Sequence, residues 1–308
     1  MRTDDDSWDI TESVGATALG VAAIRAYESG QEDALFQDPY AAKLVSAVGS
    51  DGWNNLMSGM RNLGDSEQGG EDTDLRGWSM GSVLIARTIY FDEYFAAAVR
   101  AGIRQIVILA AGLDARAYRL EWPSGTRIFE LDQPKVLAFK ARALADDEPA
   151  ADRREVAVDL RQDWPKALLD KGFEPGEPTA WLAEGLLRYL PGHAQDKLLE
   201  QVAELSAPGS RIALNLGTDK DMADQFRERR AKVMADAGVK IDLENLFYPW
   251  EDRKDPRTWF AMHQWLVTEG DPVAVLEDRG RTVPETAKAG MGHHILMTAL
   301  RPRGDDTL

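Results

Sequence analysis

Five short apolar runs, separated by helical or turn segments, constrain the fold of this chain more than any other feature. We predict five strands, at Gln105 to Ala110, Arg127 to Leu131, Glu155 to Leu160, Thr179 to Glu184 and Arg211 to Leu216. Strands that alternate with helices form a parallel sheet, and the helices cover its two faces. The sequence therefore predicts an α/β protein with a Rossmann-type sheet.

The flanking segments divide the chain into four regions. We predict an N-terminal helical cap at 1–102, a ligand-binding half of the sheet at 103–217, an inserted helical cap at 218–260, and the final strands at 261–308. We predict three helices in the first region. The first spans Ser13 to Tyr27, the second begins at Asp38-Pro39, and the third spans Ser79 to Ala101. Between them, the polar and Gly-rich stretch from Asn62 to Gly77 is interpreted as a mobile loop that could serve as a lid.

Charge and composition exclude several classes of partner. The chain has 308 residues, a formal net charge of −16 and no cysteine. An acidic surface repels nucleic acid and anionic lipid, and no apolar run approaches the roughly 18 residues of a membrane span. Without cysteine there is no disulfide, thiol nucleophile or thiolate metal site. With no signal peptide visible, we expect a soluble cytoplasmic protein that acts on a small molecule.

The turn after the first strand is the predicted cofactor loop. Ligands of such sheets bind outside the carboxyl ends of the strands, and this turn reads Ala110-Ala111-Gly112-Leu113-Asp114. The second strand ends in acidic residues, Glu130 and Asp132, and Asp132 has the spacing from Gly112 expected of a ribose ligand. Taken alone, the turn could equally be an ordinary tight connection.

Asp114 helps to choose between cofactors. A carboxylate at a helix start would repel the pyrophosphate of a dinucleotide but would tolerate S-adenosylmethionine, which carries a sulfonium and an ammonium group. The same residue could be a plain helix cap, and both interpretations can hold together.

Four other residues are candidates for the site. Arg87 interrupts the apolar stripe of its helix, so it either grips a cofactor carboxylate or forms a structural ion pair. Asp159, at the predicted end of the third strand, either faces an adenine or is a solvated loop acid. Glu184, at the end of the fourth strand, faces a ligand or a helix terminus. Tyr189 either lines the same cleft or packs in the core.

The motifs AAGLDARAYRL (Ala110 to Leu120) and FELDQP (Phe129 to Pro134), with the VDL strand, resemble the leucine carboxyl methyltransferase-like family. The similarity is greatest to its actinobacterial branch of S-adenosylmethionine-dependent methyltransferases, and it covers most of the chain. It implies a class I methyltransferase sheet, mostly parallel with an antiparallel last strand. The family usually has Gly-Ala-Gly where this chain has Ala110-Ala111-Gly112.

The resemblance also implies roles for particular residues. Arg87 would hold the methionine carboxylate of S-adenosylmethionine, and the loop at Ala110 and Gly112 would approach the cofactor. Asp132 or Glu130 would bind the ribose. The remaining implied contacts are those of Asp159 and Leu160 with the adenine and of Glu184 near the methionine end.

The reaction predicted is O-methylation by in-line displacement. A carboxylate acceptor is ionised at neutral pH and needs no base, whereas a hydroxyl needs one. No histidine is evident near the predicted strand ends, which favours a carboxylate. Phe247, Tyr248, Trp250 and Trp259 suggest an apolar acceptor pocket or packing of the insertion. No motif supports a metal site or a serine hydrolase. The alternative function is an NAD(P)-linked oxidoreductase on the same fold.

Overall fold

The computed structural model describes residues 13–49, 79–217, 247–248 and 253–304. Within these ranges, the helices that precede the sheet are α1 (Ser13–Ser29), α2 (Pro39–Ser46) and α3 (Ser79–Arg100). The strands are β1 (Gln105–Leu109), β2 (Arg127–Asp132), β3 (Asp152–Ala157), β4 (Thr179–Ala183), β5 (Arg211–Gly217), β6 (Leu266–Gly270) and β7 (His294–Leu300). The later helices are α4 (Arg116–Arg119), α5 (Pro134–Ala143), α6 (Trp164–Asp170), α7 (Gly192–Glu204), α8 (Pro256–Met262), α9 (Pro272–Glu277) and α10 (Glu285–Met291), with a 3-10 turn at Leu187–Tyr189.

The seven strands form one sheet in the order β3-β2-β1-β4-β5-β7-β6. Strands β1 to β5 are parallel to their neighbours, and β7 runs antiparallel to both β5 and β6. The predicted α/β class is confirmed, as is the antiparallel last strand. Because β1 lies beside β4, the chain crosses over at the centre of the sheet, where ligands of such folds bind.

Helices cover both faces of the sheet, as the buried runs of β1 and β4 require. On one face, Ile106 and Ile108 of β1 pack with apolar residues of α1, α2, α3 and α5. On the other face, Val107 and Leu109 pack with α6, α7 and α8. Successive side chains of a strand therefore alternate between two separate cores, one on each face of the sheet.

The third strand begins and ends three residues earlier than predicted. The apolar residues between Glu155 and Leu160 predicted the later bounds, but backbone pairing with β2 sets the strand at Asp152–Ala157. This strand lies at the edge of the sheet and is half-exposed, so its polar first half can pair without burying its side chains. Helices α9 and α10 are short and were not predicted, whereas α8 begins inside the segment 218–260 that was expected to be helical.

The N-terminal helices form as expected from their capping residues. The carboxylate of Asp38 accepts hydrogen bonds from the backbone N–H groups of Tyr40 and Ala41, and Pro39 occupies the first turn of α2. The stretch Asn62 to Gly77 and most of the insertion at 218–260, including Trp250, lie outside the described residues. In the part of the chain that is described, no helix is long and apolar enough to cross a bilayer.

Candidate active site

The loop after β1 is a tight turn with two residues in the left-handed region. Ala110 has φ +53° and Gly112 has φ +48°. The N–H of Ala111 donates to the carbonyl of Leu131 at 2.9 Å, which extends the pairing with β2 past the end of β1. A Cβ on Gly112 would lie 3.3 Å from the Cβ of Ala18 on α1. The missing side chain therefore lets α1 pack closely on the loop.

Asp132 lies beside this loop. One carboxylate oxygen accepts from the N–H of Gly112 at 2.6 Å, and the other accepts from the N–H of Gln133 at 2.7 Å. Burial raises the pKa of the Asp132 carboxyl to about 6, although both hydrogen bonds and Lys140 act against the rise. The predicted ribose ligand is thus next to the predicted cofactor loop.

Glu130, the other ribose candidate, is fully buried and already paired. Lys140 donates to one oxygen at 2.8 Å, and Arg153 donates to the other at 2.7 Å. A carboxylate enclosed in this way has no oxygen exposed toward a ligand. Of the two alternatives that the sequence left open, the geometry favours Asp132.

Asp159 is connected to Asp132 through one side chain. Gln133, adjacent to Asp132, donates from its amide nitrogen to Asp159 at 2.9 Å. Arg161 bonds both oxygens of Asp159 and, against the opposing effect of burial, lowers the pKa of that carboxyl. Asp159 and the partly buried Leu160 follow β3 and lie at the same edge of the sheet as Asp132.

Glu184 is the centre of a buried ion-pair cluster at the end of β4. Its Oε1 accepts from Arg25 at 2.7 Å and from Arg87 at 2.8 Å, and its Oε2 accepts from Arg116 at 2.6 Å. Burial opposes ionisation, but Arg25, Arg116 and Arg87 hold the pKa of Glu184 well below its usual range. Both oxygens serve the three arginines, so Glu184 positions them.

Arg87 combines the two interpretations of the sequence. Its Nε is paired with Glu184, as a structural ion pair requires. Its two terminal nitrogens make no hydrogen bond with any residue that the structure describes. Gly185, at φ +65°, lies close to them, since a Cβ there would be 3.4 Å from one terminal nitrogen. Arg87 is therefore anchored and still has two donors for an anionic group.

The charges of the cluster balance. Arg116 is paired with Asp114 and Asp92 as well as with Glu184, so three carboxylates face the three arginines. An anion at this site would therefore be held by the terminal N–H donors of Arg87 rather than by an excess of positive charge.

Asp114 is an ion-pair partner in the turn before α4. One of its oxygens accepts from the backbone N–H of Arg116 at 2.7 Å, and the other contacts the guanidinium of the same residue. Burial would raise the pKa of the Asp114 carboxyl, but the guanidinium groups of Arg116 and Arg25 lower it. The N-cap of α4 is Ala115, so Asp114 lies one residue before the cap position.

Tyr189 lies in the 3-10 turn that follows β4, and its ring contacts Phe247 at a centroid distance of 5.1 Å. The N–H of Tyr248 donates to the carbonyl of Arg188 at 3.1 Å, so this part of the insertion docks beside the end of β4. Trp259 differs, because it is buried in the core with α8. Packing is therefore the role of Trp259, and it does not line a pocket.

His294 corrects one inference from the sequence. It is the first residue of β7 and pairs with Gly217, the last residue of β5. A histidine therefore does lie at the carboxyl ends of the parallel strands, contrary to the expectation that favoured a carboxylate acceptor. The reason is the antiparallel direction of β7, whose start meets the end of β5.

Sequence reasoning also missed Arg25, Arg116 and Asn215. Arg25 interrupts the buried stripe of α1 as Arg87 interrupts that of α3, so the same test would have found it. Asn215 breaks the apolar pattern of β5, and its Oδ1 accepts from the N–H of Gly185 at 2.7 Å. Arg116 carries no such signal because its helix is too short to show a periodic pattern.

Comparisons with known proteins agree with this geometry. The family model for leucine carboxyl methyltransferase matches residues 18–203. A protein of Mycobacteroides abscessus named "Putative S-adenosyl-L-methionine-dependent methyltransferase" is 50% identical over 299 residues, covering 94% of this chain and 96% of its own. A Rhodococcus jostii protein of the same description is 50% identical over 289 residues, covering 92% and 94%.

Among solved structures, a Thermobifida fusca protein described as a "putative methyltransferase" covers 92% of this chain and 94% of its own at 17% identity, with a TM-score of 0.47. The sheet order, the loop after β1 and the acid at the end of β2 define a class I S-adenosylmethionine-dependent methyltransferase. The chain belongs to the leucine carboxyl methyltransferase family, and S-adenosylmethionine is its methyl donor.

Proposed function

We propose that this protein transfers a methyl group from S-adenosylmethionine to an oxygen atom of a small molecule. The observation that carries the proposal is that the guanidinium of Arg87 is bonded to Glu184 through only one of its three nitrogens. Its Nε is fixed by Glu184 at 2.8 Å, and its terminal nitrogens lie beside Gly185, just past the end of β4, without a partner among the described residues. The family's description as a carboxyl methyltransferase supports oxygen as the atom that is methylated.

The chain's own residues fit the bound cofactor. We propose that Arg87 holds the methionine carboxylate and that the backbone of the loop at Ala110 and Gly112 lies against the cofactor. Asp132 accepts from the ribose hydroxyls, while Asp159 and Leu160 lie toward the adenine. These positions follow the carboxyl edge of the sheet from β4 to β3, which is long enough for an extended nucleoside ligand.

The sulfonium of the cofactor supplies an activated methyl group, so the protein's task is alignment and exclusion of water. Glu184 orients Arg87, and Arg87 fixes one end of the donor. Tyr189 and Phe247, in ring contact beside the end of β4, provide apolar surface next to the reacting end. The acceptor oxygen belongs to a carboxylate or a hydroxyl of a small molecule.

The NAD(P)-linked alternative has less support. A dinucleotide pyrophosphate would sit at the helix that follows the loop, and here that position holds the Asp114 carboxylate. Helix α4 is also only four residues long, so it offers little dipole to a phosphate. Both observations favour a cofactor without phosphate.

The test is transfer of labelled methyl from S-adenosylmethionine to a small-molecule extract of the cells that carry the gene. Label in an organic product below about 1 kDa is expected. Mild alkali then classifies the product, because a methyl ester releases volatile methanol and a methyl ether does not. Label found on nitrogen or carbon would contradict the proposal, as would label found only in protein or nucleic acid.

A further inference from the structure

A cavity of about 630 Å³ lies between the second half of α3 and strands β5, β6 and β7. Strand β5 begins beside it, at Arg211, and β7 ends beside it, at Leu300. This amino-edge cavity is therefore at the opposite edge of the parallel strands from the loop after β1 and the Glu184 cluster. Its volume is within the range of small-molecule binding sites.

The floor of the amino-edge cavity is one face of the sheet. Residues directly opposite each other in antiparallel strands project to the same face. Leu300 of β7 is opposite both Arg211 of β5 and Leu266 of β6. Two residues further along the sheet, Thr298 is opposite Thr268. All five side chains line the cavity, so its floor combines apolar surface, two hydroxyls and one guanidinium.

Helix α3 forms the wall of the amino-edge cavity, with Tyr94 and Ala97 among the lining residues. The ring of Tyr90 covers Gly270 of β6, because a Cβ on that glycine would lie only 2.6 Å from the ring. The Tyr90 hydroxyl is also hydrogen-bonded to the side chain of Thr298. The ring of Tyr90 therefore closes the cavity on the side toward the carboxyl edge.

The charged residues of the amino-edge cavity leave one cation without a counter-ion. Glu93 is ion-paired with Arg279, which is not part of the lining. Arg100 is exposed, so water screens its charge. Arg211 is partly buried and forms no ion pair within the described part of the chain, and its buried Nε has no hydrogen-bond partner there. A cation that is partly removed from water favours an anionic partner.

We propose that the amino-edge cavity binds a small organic carboxylate with an apolar body. The carboxylate pairs with the guanidinium of Arg211, and the body lies between α3 and the floor, where it covers the exposed Leu266. Two copies of a chain with a net charge of −16 repel each other, which favours a small molecule over a second copy as the occupant. The proposal does not depend on the proposed function.

The test is calorimetric titration with 2-naphthoate and with its neutral analogue 2-naphthamide, both in the presence of saturating S-adenosylhomocysteine. The nucleoside occupies the proposed cofactor site, so that Arg87 does not take up the probe. 2-Naphthoate should bind at one site with a Kd of about 0.1–1 mM, as expected for a ligand of its size. 2-Naphthamide should bind at least about tenfold more weakly, because it has no charge to pair with Arg211.

Three variants locate the bound probe, and thermal melting checks that each is folded. Arg211→Gln should weaken 2-naphthoate binding about tenfold and leave 2-naphthamide binding unchanged. Ala97→Trp fills the cavity from α3 and should prevent binding of both probes. Arg142→Gln is the matched control, because Arg142 is an exposed arginine of α5 that does not line the cavity, and it should bind both probes like the wild type. If Ala97→Trp does not fold, the difference between the two probes in Arg211→Gln decides alone.

Several results would overturn the proposal. One is equal affinity of the wild type for both probes, and another is no binding of 2-naphthoate at concentrations up to about 10 mM. Unchanged 2-naphthoate binding in Arg211→Gln would also contradict it, as would binding that disappears when S-adenosylhomocysteine is added. A dimer in sedimentation that Ala97→Trp separates into monomers would assign the cavity to a second copy of the chain instead.

Discussion

The guanidinium of Arg87 shows how one residue can serve the fold and a ligand together. Its Nε is bonded to Glu184, and its terminal nitrogens are left for an anion. Because burial removes water from these donors, an anion that pairs with them gains more than it would at the surface. The sequence indicated only that this charge needed a partner.

Replacing Arg87 should separate binding from stability. Arg87→Ala is expected to weaken S-adenosylhomocysteine binding by about 2–4 kcal/mol, the range for a charge-assisted pair in a desolvated site. Calorimetry measures the affinity, and thermal melting measures the loss of the Glu184 contact. Arg100→Ala removes an exposed arginine from the last turn of the same helix and should leave the affinity unchanged. Normal affinity in a destabilised Arg87→Ala would show that Arg87 is only structural.

Ala110 holds backbone strain in the cofactor loop. At φ +53° an alanine costs about 1–2 kcal/mol that a glycine does not. Ala110→Gly should therefore raise the free energy of unfolding by about 0.5–1 kcal/mol after the greater chain entropy of glycine is subtracted. Urea denaturation measures it. In Ala111→Gly the same change removes a buried methyl group and should lower stability, so two variants that both lose stability would refute the strain.

The raised pKa of Asp132 predicts a pH dependence for cofactor binding. Burial places this pKa at about 6, so the carboxylate is ionised at pH 7 and protonated at pH 5. A protonated carboxyl accepts hydrogen bonds from ribose poorly, and S-adenosylhomocysteine affinity should fall as the pH drops through 6. For folding the sign is opposite: a raised acid pKa means that stability from this group is lost as the pH rises through 6. Calorimetry between pH 5 and 7 should show no such fall in Asp132→Asn.

At the scale of elements, the parallel sheet explains which site residues the sequence could predict. The ends of β1 and β2 are adjacent, so the spacing from Gly112 to Asp132 translates directly into a contact. The pairing of Arg87 with Glu184 joins residues 97 apart and depends on how α3 crosses the sheet. Each was recognisable as an odd charge in an apolar run, but their partnership required the fold.

The position of His294 in the sheet could not be predicted from the local sequence pattern. His293 and His294 are adjacent in the sequence, but only His294 belongs to β7. Which of them faces α3, and at which edge of the sheet, depends on the register of β7 against β5. The short, half-exposed β3 is a similar case, since its bounds come from backbone pairing with β2.

Glu130 and Asp132, two residues apart on β2, should respond to substitution in opposite ways. Glu130→Gln breaks a fully buried pair with Lys140 and should cost about 3–5 kcal/mol in stability while the folded fraction still binds S-adenosylhomocysteine. Asp132→Asn removes a buried charge but leaves the N–H of Gly112 or of Gln133 without an acceptor, so it should cost less, about 1–3 kcal/mol, while affinity falls. Melting and calorimetry on both variants test this. Loss of affinity in Glu130→Gln alone would assign the ribose to Glu130.

For the whole molecule, a strongly acidic chain encloses a buried cluster of arginines. The net charge is −16, yet Arg25, Arg87 and Arg116 converge on one carboxylate at the centre of the sheet edge. The overall charge disfavours polyanions, whereas we propose that the terminal nitrogens of Arg87 bind a single small carboxylate. The fold class and the methyl donor followed from the sequence. The ion pairs between α1, α3 and the end of β4 did not, because they depend on contacts between distant elements.

The most direct test of the account is calorimetric titration of the wild-type protein with S-adenosylhomocysteine and, separately, with NAD. The contacts of Arg87 and Asp132 predict one site for S-adenosylhomocysteine with a micromolar dissociation constant, and NAD should bind far more weakly because Asp114 faces its pyrophosphate. Tight binding of NAD with no heat from S-adenosylhomocysteine would contradict the account.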